Sequence, residues 1–339
     1  MKKILIIRFS SIGDIVLTTP VARCVKQQVA DAEIHYCTKR QYSEVLRANP
    51  YIDKVHHLDS SLWKTAQQLR KENVDFVVDL HKSLRSRLLK LLLCKPGDTF
   101  SKLNLKKWLL VRFRINLLPD VHIVDRYFGA VKKLKVVTDG LGLDYFLPKQ
   151  DEFDPAWLPV LHRQGYIGFV IGGRHRTKIF PTAKVIEVCR LLDRPIVLLG
   201  GKDDVAMAEE ICLAVGKKVY NACGQFSINK SASLVNNANL IITNDTGLMH
   251  IAAAFGKKII SLWGNTVPVF GMYPYTAEQQ KSQSVIFEIT GLRCRPCSKI
   301  GFDKCPESHF DCMNKIGSEQ LVSEAIRLIN TYYPGYTLT

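Results

Sequence analysis

Long apolar runs are missing from this chain. The longest, such as Leu88 to Cys94, are broken by a charge and fall far short of the roughly 20 residues that a membrane-crossing helix needs. Acidic residues are also in short supply: 31 Asp and Glu against 47 Lys and Arg leave a net charge of +16. Such an excess implies an acidic partner, whether nucleic acid, an anionic membrane face or a phosphorylated substrate. No nucleic-acid recognition motif accompanies the charge, so nucleic acid is not expected as a partner. The three-glycine dinucleotide fingerprint and the Walker loop are absent, which speaks against a dehydrogenase and an NTPase. The ten cysteines are scattered apart from one group near the end, unlike a secreted disulfide framework. The opening Met1-Lys2-Lys3 is only superficially like a signal peptide. Arg8 interrupts the apolar stretch and no small-residue cleavage site follows, so the expectation is the first strand of a cytoplasmic protein.

What is present is alternation. At 339 residues the chain suits two domains of ordinary size. Apolar runs at Lys3 to Phe9, Glu33 to Cys37, Val55 to Leu58 and Val74 to Leu80 alternate with helical stretches at Asp14 to Gln28, Tyr42 to Ala48 and Thr65 to Lys71. Pro20 predicts a kink in the first of these helices, and Asp125 to Leu134 predicts one more helix. After a Lys, Asp, Glu and Pro-rich lapse between Pro148 and Gly165, strands are expected at Tyr166 to Ile171, Pro195 to Leu199, Lys218 to Tyr220, Leu240 to Thr243 and Lys258 to Trp263. Helices fall between them, and Ser318 to Asn330 closes the pattern. Nearly all-apolar strands separated by helices belong to parallel sheets covered on both faces. The expected fold class is α/β, with two doubly wound lobes: residues 1–150, residues 165–316, and a terminal helix and tail at 317–339.

In such sheets ligands meet the carboxyl ends of the strands. Three junctions stand out. Ile241 to Asn244 runs into Asp245-Thr246-Gly247-Leu248-Met249-His250, an apolar strand followed by a glycine-containing turn and a helix start. Unsatisfied amides and the positive dipole end there favour phosphate. Ile4 to Phe9 leads into Ser10-Ser11-Ile12-Gly13-Asp14, where the carboxylate either caps the next helix or serves as a base. Gly172 to Pro181 carries two glycines with Arg174, Arg176 and Lys178, a phosphate cradle or a basic surface loop.

From Lys82 to Arg114 there are ten basic residues and one acidic one, interleaved with leucines, Trp108 and Phe113. A membrane-surface contact and helices packed by their leucines with lysines in water account for this segment equally well. Cys294, Cys297, Cys305 and Cys312 leave three readings open: a structural zinc site, a reversible disulfide, or plain thiols.

The order of motifs is the most specific signal. Ile7-Arg8-Phe9-Ser10-Ser11-Ile12-Gly13-Asp14, Asp79-Leu80-His81-Lys82-Ser83-Leu84-Arg85-Ser86, Val124-Asp125-Arg126-Tyr127, Lys178-Ile179-Phe180-Pro181, Asn244-Asp245-Thr246-Gly247-Leu248-Met249-His250 and Leu262-Trp263-Gly264-Asn265-Thr266 together resemble glycosyltransferase family 9, the lipopolysaccharide heptosyltransferases. The resemblance implies a GT-B fold of two Rossmann-like lobes facing a cleft, and inverting transfer of a heptose from ADP-heptose to a lipid A/lipopolysaccharide core acceptor. It implies Asp14 as general base. Donor contacts would come from Thr177, Lys178, Asp245, Thr246, Gly247, Leu248 and His250, and acceptor contacts from Ser11, Gly13, His81, Lys82, Arg85 and Arg126. No cofactor and no catalytic metal are implied, and no two aspartates are separated by a single residue to hold one. The expected location is the cytoplasmic face of the inner membrane, as a peripheral protein with an anionic surface as a possible partner. Two departures stand out: Lys202 precedes Asp203 and Asp204 after the Gly-Gly loop, and Asn265 replaces a common proline. The rival readings are another GT-B enzyme with a different nucleotide sugar, and a noncatalytic nucleotide-binding scaffold.

Overall fold

The computed structural model describes residues 2–331, so the tail from residue 332 on lies outside the described residues. Two compact units form. The first comprises residues 1–152 with two short returning pieces, 253–255 and 269–278; the second holds the remainder. Linear boundaries do not express the returning pieces.

In the first unit the strands β1 (Lys2–Ile7), β2 (Ala32–Thr38), β3 (Lys54–His57), β4 (Phe76–Asp79) and β5 (Gly97–Thr99) build one sheet in the order β3-β2-β1-β4-β5. Every pairing is parallel, with Ile4 opposite both Ile34 and Phe76. Ile4, Leu5, Ile6 and Ile7 are fully buried, as expected of a central strand covered on both faces. The order reverses between β1 and β4, so the loops after these two strands flank the switch point.

The helices are α1 (Ile12–Val16), α2 (Thr19–Gln28), α3 (Leu62–Lys71), α4 (Leu84–Leu93), α5 (Asn104–Phe113) and α6 (Ile123–Tyr127). Pro20 splits the expected first helix in two instead of kinking it. It occupies the first turn of α2, where a missing amide costs nothing and a fixed φ fits. The helix expected from Asp125 to Leu134 shrinks to α6 followed by 3-10 turns at Phe128–Ala130 and Lys132–Leu134, Gly129 being a poor helix former. The stretch expected as a helix from Tyr42 is likewise 3-10, Arg40–Leu46. The short strand β5 has no periodicity to announce it.

The second unit carries β6 (Ile167–Val170), β7 (Ile196–Leu199), β8 (Val219–Asn221), β9 (Leu240–Asn244), β10 (Ile259–Trp263) and β11 (Ser284–Glu288), ordered β11-β10-β9-β6-β7-β8 and parallel throughout. Helices α7 (Thr182–Leu191), α8 (Val205–Val215), α9 (Ile228–Asn237), α10 (Gly247–Ala254), α11 (Asp311–Asn314) and α12 (Ser318–Asn330) accompany them. Its core joins both sheet and helices through Phe169, Phe180, Val188, Leu198, Ile242, Leu262, Met313 and Leu321. Here the switch point lies between β6 and β9, which places the loops after Val170 and Asn244 side by side.

α4 and α5 carry the basic apolar segment. Leu89, Leu93 and Leu110 are buried, whereas Leu84, Leu88, Leu91, Leu105, Trp108 and Phe113 are exposed, among the exposed cations Arg85, Arg87, Lys106 and Arg112. One stripe packs against the unit and the other is exposed. Among the described residues, no helix is long and apolar enough to cross a membrane.

Candidate active site

In the first unit, Arg8 directly follows β1 and is buried. Its guanidinium donates to the carbonyls of Ser10 (2.9 Å) and Leu80 (2.5 Å) and to the Tyr127 hydroxyl (3.2 Å), and it pairs with Asp14 Oδ1 at 2.5 Å. The other carboxylate oxygen, Oδ2, accepts from the Ser11 amide (3.0 Å) and the Ser11 hydroxyl (2.9 Å). Asp14 therefore does close the first turn of α1 by accepting from the amide of its N-cap residue, Ser11, and it does more. Three donors leave about one of the four lone-pair sites of a carboxylate open, and the side chain keeps 22% exposure. Burial pushes the Asp14 carboxyl up, but the Arg8 charge and the Ser11 hydrogen bonds outweigh it and bring the pKa down to about 2.

Asp79 shapes the facing loop. Its Oδ1 accepts from the amides of His81 (2.9 Å) and Lys82 (2.8 Å) and its Oδ2 from the Ser86 hydroxyl (2.9 Å), so the chain turns directly from β4 into α4. This sets His81 against Phe9, with ring centroids 4.9 Å apart, and buries its Nδ1 without a hydrogen-bond partner. Lys82 is less open than the sequence suggests, because its Nζ donates to the Phe100 carbonyl at 2.7 Å. Arg85 is exposed and Gly13 lies buried inside α1. Arg126 donates to the Phe270 carbonyl at 2.8 Å through one nitrogen, while Nε and Nη1 are buried and meet no acceptor. A guanidinium held this way has donors to spare for an anion. Lys102, not singled out from sequence, belongs to the same charge cluster: burial, then the Arg8 charge, lowers its pKa.

His81 gives a pH prediction. Burial, then the charges of Arg8 and Lys102, push its pKa from 6.5 to about 4. Between those values the unfolded chain binds the extra proton and the folded chain does not, so stability falls as pH drops through that window. Thermal melts from pH 7 to 4.5 should show a steeper loss for the parent than for His81→Gln; parallel curves would refute the assignment.

In the second unit, the loops after β6 and β9 are fastened by Asn244, which is fully buried. Its Nδ2 donates to the carbonyls of Ile171 (3.1 Å) and Gly172 (3.0 Å), and its Oδ1 accepts from the Phe180 amide (3.1 Å). The sequence motif contains Asn244 but gives it no role. With both loops fixed, Lys178 Nζ reaches Asp245 Oδ2 at 2.5 Å, and the Thr266 hydroxyl donates to the same oxygen at 3.1 Å. Both partners are largely shielded, at 17% and 11% exposure. Thr246, Gly247 and Leu248 are half-buried at the start of α10, and His250 is buried one turn later. Thr177 is different: its hydroxyl donates to the Phe302 carbonyl (3.0 Å) and accepts from the Phe302 amide (2.8 Å), so it positions the loop and offers no open donor. Next to this loop lies a cleft of about 910 Å3 lined by Gly173, Arg174, Thr177, Asp203, Asp204 and Lys304, among others.

Arg295, unremarked in the sequence, ties the cysteine-rich tail to this site. Buried, it donates to the carbonyls of Gly264 (2.5 Å), Trp263 (3.2 Å), Thr266 (2.9 Å) and Ile289 (3.0 Å) and pairs with Glu288 at 2.6 Å. Only a planar fork of donors does this. Among the described residues no disulfide joins the cysteines. The Cys297 thiol donates to the Cys294 carbonyl at 3.0 Å, and Cys294 Sγ stands 3.7 Å from His309 Nε2.

Gly264 allows the close approach of these loops. A Cβ there would lie 2.6 Å from the Thr177 carbonyl oxygen and 2.9 Å from Met313 Cε, and a backbone atom cannot yield cheaply. Gly264→Ala is expected to cost about 1–3 kcal/mol, as overpacking does, and to displace Lys178. Denaturant melts together with ADP titration check this; unchanged values in both would refute it.

Two doubly wound units, each with its charged residues at the switch point of the sheet, define a GT-B glycosyltransferase fold. Solved structures agree: the chain is similar to a family 9 glycosyl transferase from Veillonella parvula (TM-score 0.78, 23% identity, 97% of each chain). It is likewise similar to the ADP-heptose LPS heptosyltransferase II of Escherichia coli (TM-score 0.75, 19% identity, 97% of this chain and 98% of that one). Among sequence relatives, a lipopolysaccharide heptosyltransferase 1 of Campylobacter coli is 25% identical over 291 residues, covering 78% of this chain and 84% of the relative. A lipooligosaccharide heptosyltransferase 2 of Haemophilus ducreyi is 25% identical over 355 residues, covering 96% and 99%. The model of glycosyltransferase family 9 (heptosyltransferase) matches residues 62–299, and the chain belongs to that family. It is a glycosyltransferase.

Proposed function

We propose that this enzyme moves a heptose from ADP-heptose onto a lipid-linked lipopolysaccharide core acceptor, with inversion at the anomeric carbon. The observation that carries this reading is the pairing of Lys178 with Asp245 beside the amino end of α10. A cation and a helix dipole at one switch point suit a diphosphate that gains charge as it leaves. Relatives named as heptosyltransferases of lipopolysaccharide and lipooligosaccharide support the sugar and the acceptor, and an E. coli heptosyltransferase has been solved with ADP.

In this reading Asp14 takes the proton of the acceptor hydroxyl as that oxygen bonds to the anomeric carbon, and the bond to ADP breaks. Lys178 then faces the departing diphosphate, with the amides of Thr246 and Gly247 nearby. His81, Arg85 and Arg126 receive the anionic groups of the acceptor. Transfer needs no metal, since side-chain cations and the helix end carry the counter-charge. The enzyme works as a peripheral protein on the cytoplasmic face of the inner membrane, with the exposed leucines and cations of α4 and α5 against anionic lipid.

Calorimetric titration with ADP, UDP, GDP and dTDP tests the donor. Selective ADP binding is the expected result. Preference for another base keeps the fold and changes the donor; no nucleotide binding at all overturns the reading in favour of a scaffold. Sedimentation with vesicles of phosphatidylglycerol and of phosphatidylcholine tests the surface, anionic vesicles alone being expected to bind.

A further inference from the structure

A second constellation lies in the first unit, away from the switch point. β2, β3 and α3 each bring one metal-ligating group to a common place. In the parallel register His35 stands opposite Lys54 and Cys37 opposite His56, so His35 and His56 share one face of the sheet. Glu72 follows the last turn of α3. One ligand atom from each of His35, His56 and Glu72 lies within 4.8 Å of the other two, the one such trio among the described residues.

The geometry already resembles a ligand set. His35 is fully buried. Its Nε2 meets Glu33 Oε1 at 2.8 Å, and its Nδ1 faces His56 Nε2 at 3.0 Å. The carboxylate only accepts, so the proton sits on His35 Nε2, and Nδ1 presents its lone pair toward His56. A carboxylate behind a histidine is the usual outer support of a metal-bound imidazole, fixing its tautomer and orientation. Two imidazole nitrogens on one tetrahedral zinc, at about 2.0–2.1 Å each, are separated by roughly 3.3 Å, close to the observed spacing. Glu72 is held by Lys54 Nζ at 2.6 Å through Oε1, which leaves its second oxygen for a metal.

We propose that His35 Nδ1, His56 Nε2 and the Glu72 carboxylate form a site for a divalent metal of the zinc class, with water in the fourth position. On binding, the proton between the imidazoles moves to His56 Nδ1, so both rings stay neutral and no proton is lost. The metal joins the outermost strand β3 and the end of α3 to β2. It acts on the cohesion of the first unit, and the proposal is independent of the donor and acceptor assigned above.

The test uses the full chain, reduced and stripped with chelator, then titrated with Co2+ and followed in the visible and near-ultraviolet. One equivalent with ligand-field bands and no thiolate charge-transfer band is expected. It should be lost in His56→Gln and in Glu72→Gln, and weakened about 10–100-fold in Glu33→Gln, as removal of an outer support does. Zinc should raise the Tm of the parent and leave that of His56→Gln unchanged. His56 and Glu72 are only half-buried, and a metal-free Tm matching the metal-free parent certifies that each variant is folded. Binding that persists in both variants, or a thiolate spectrum that would place the metal on Cys294, Cys297, Cys305 and Cys312, overturns the proposal, as does absence of binding in the parent.

Discussion

Asp14→Asn is expected to lower kcat by about 10²- to 10⁴-fold, the range a general base contributes, while ADP binds as before. Asparagine gives up the Ser11 hydrogen bonds to one carboxylate position but keeps the size of the side chain and one acceptor oxygen, which can serve Arg8 as the carboxylate Oδ1 does, so the buried guanidinium retains a partner. Alanine would not, and removing one member of a buried pair costs about 3–5 kcal/mol in stability, confusing catalysis with folding. A carboxylate held at about 2 is a feeble base toward a ground-state alcohol. It becomes competent only as the new C–O bond forms and the hydroxyl proton turns acidic, which places proton transfer late. This ordering has its own signature. In the parent, no acid limb assignable to Asp14 should appear in kcat/KM above about pH 3. In Arg8→Gln the opposing charge is gone, burial dominates, and the carboxyl rises, so activity should fall off toward acid in the ordinary carboxylate range. Unchanged turnover in Asp14→Asn with a folded protein would remove Asp14 from the chemistry and leave it only its cap.

Lys178→Ala should weaken ADP binding and lower kcat by about 10²- to 10³-fold, the loss seen when one preorganised donor to a developing charge is removed. The present partner of Lys178 is Asp245, not a phosphate, and this makes the companion variant informative. Asp245→Asn removes the competing negative charge while keeping an acceptor for Thr266. If Lys178 serves the diphosphate, ADP should bind at least as tightly to Asp245→Asn as to the parent, and the double variant should resemble Lys178→Ala. Calorimetry in low and high salt separates the charge effect from packing, since part of any attraction to a phosphate is screened. Equal ADP affinity in the parent and Lys178→Ala would move the donor site elsewhere.

Much of the architecture was legible because buried parallel strands write themselves as unbroken apolar runs: Ile4 to Ile7 and Leu240 to Thr243 need no other signal. Short pieces were not. Gly97 to Thr99 has no apolar run to announce a strand, and Ser284 to Glu288 lies at a half-buried sheet edge. At the site, the charged residues were visible as types in loops after strands. What they are bonded to was not. Asp14 read as a cap or a base, and the structure gives it the cap together with a buried arginine that decides its charge. Thr177 looked like a ligand contact, yet its hydroxyl is used up by Phe302, far along the chain. Arg295 and Asn244 carry much of the local order through backbone carbonyls, which have no signature in sequence at all.

His122 and Arg126 make hydrogen bonds to the carbonyls of Tyr273 and Phe270, in the piece 269–278 that returns to the first unit. During synthesis at about 5–20 residues per second, the stretch from Glu152 to Glu278 takes roughly 6–25 seconds to emerge. Throughout that interval the amino-terminal unit lacks part of itself, and the polar groups of α6 wait in water for partners not yet made. A ribosome-bound chain ending near residue 180 should therefore be more protease-sensitive around α6 than one ending near residue 310. The order of translation, and not only the final fold, is written into where this chain crosses back.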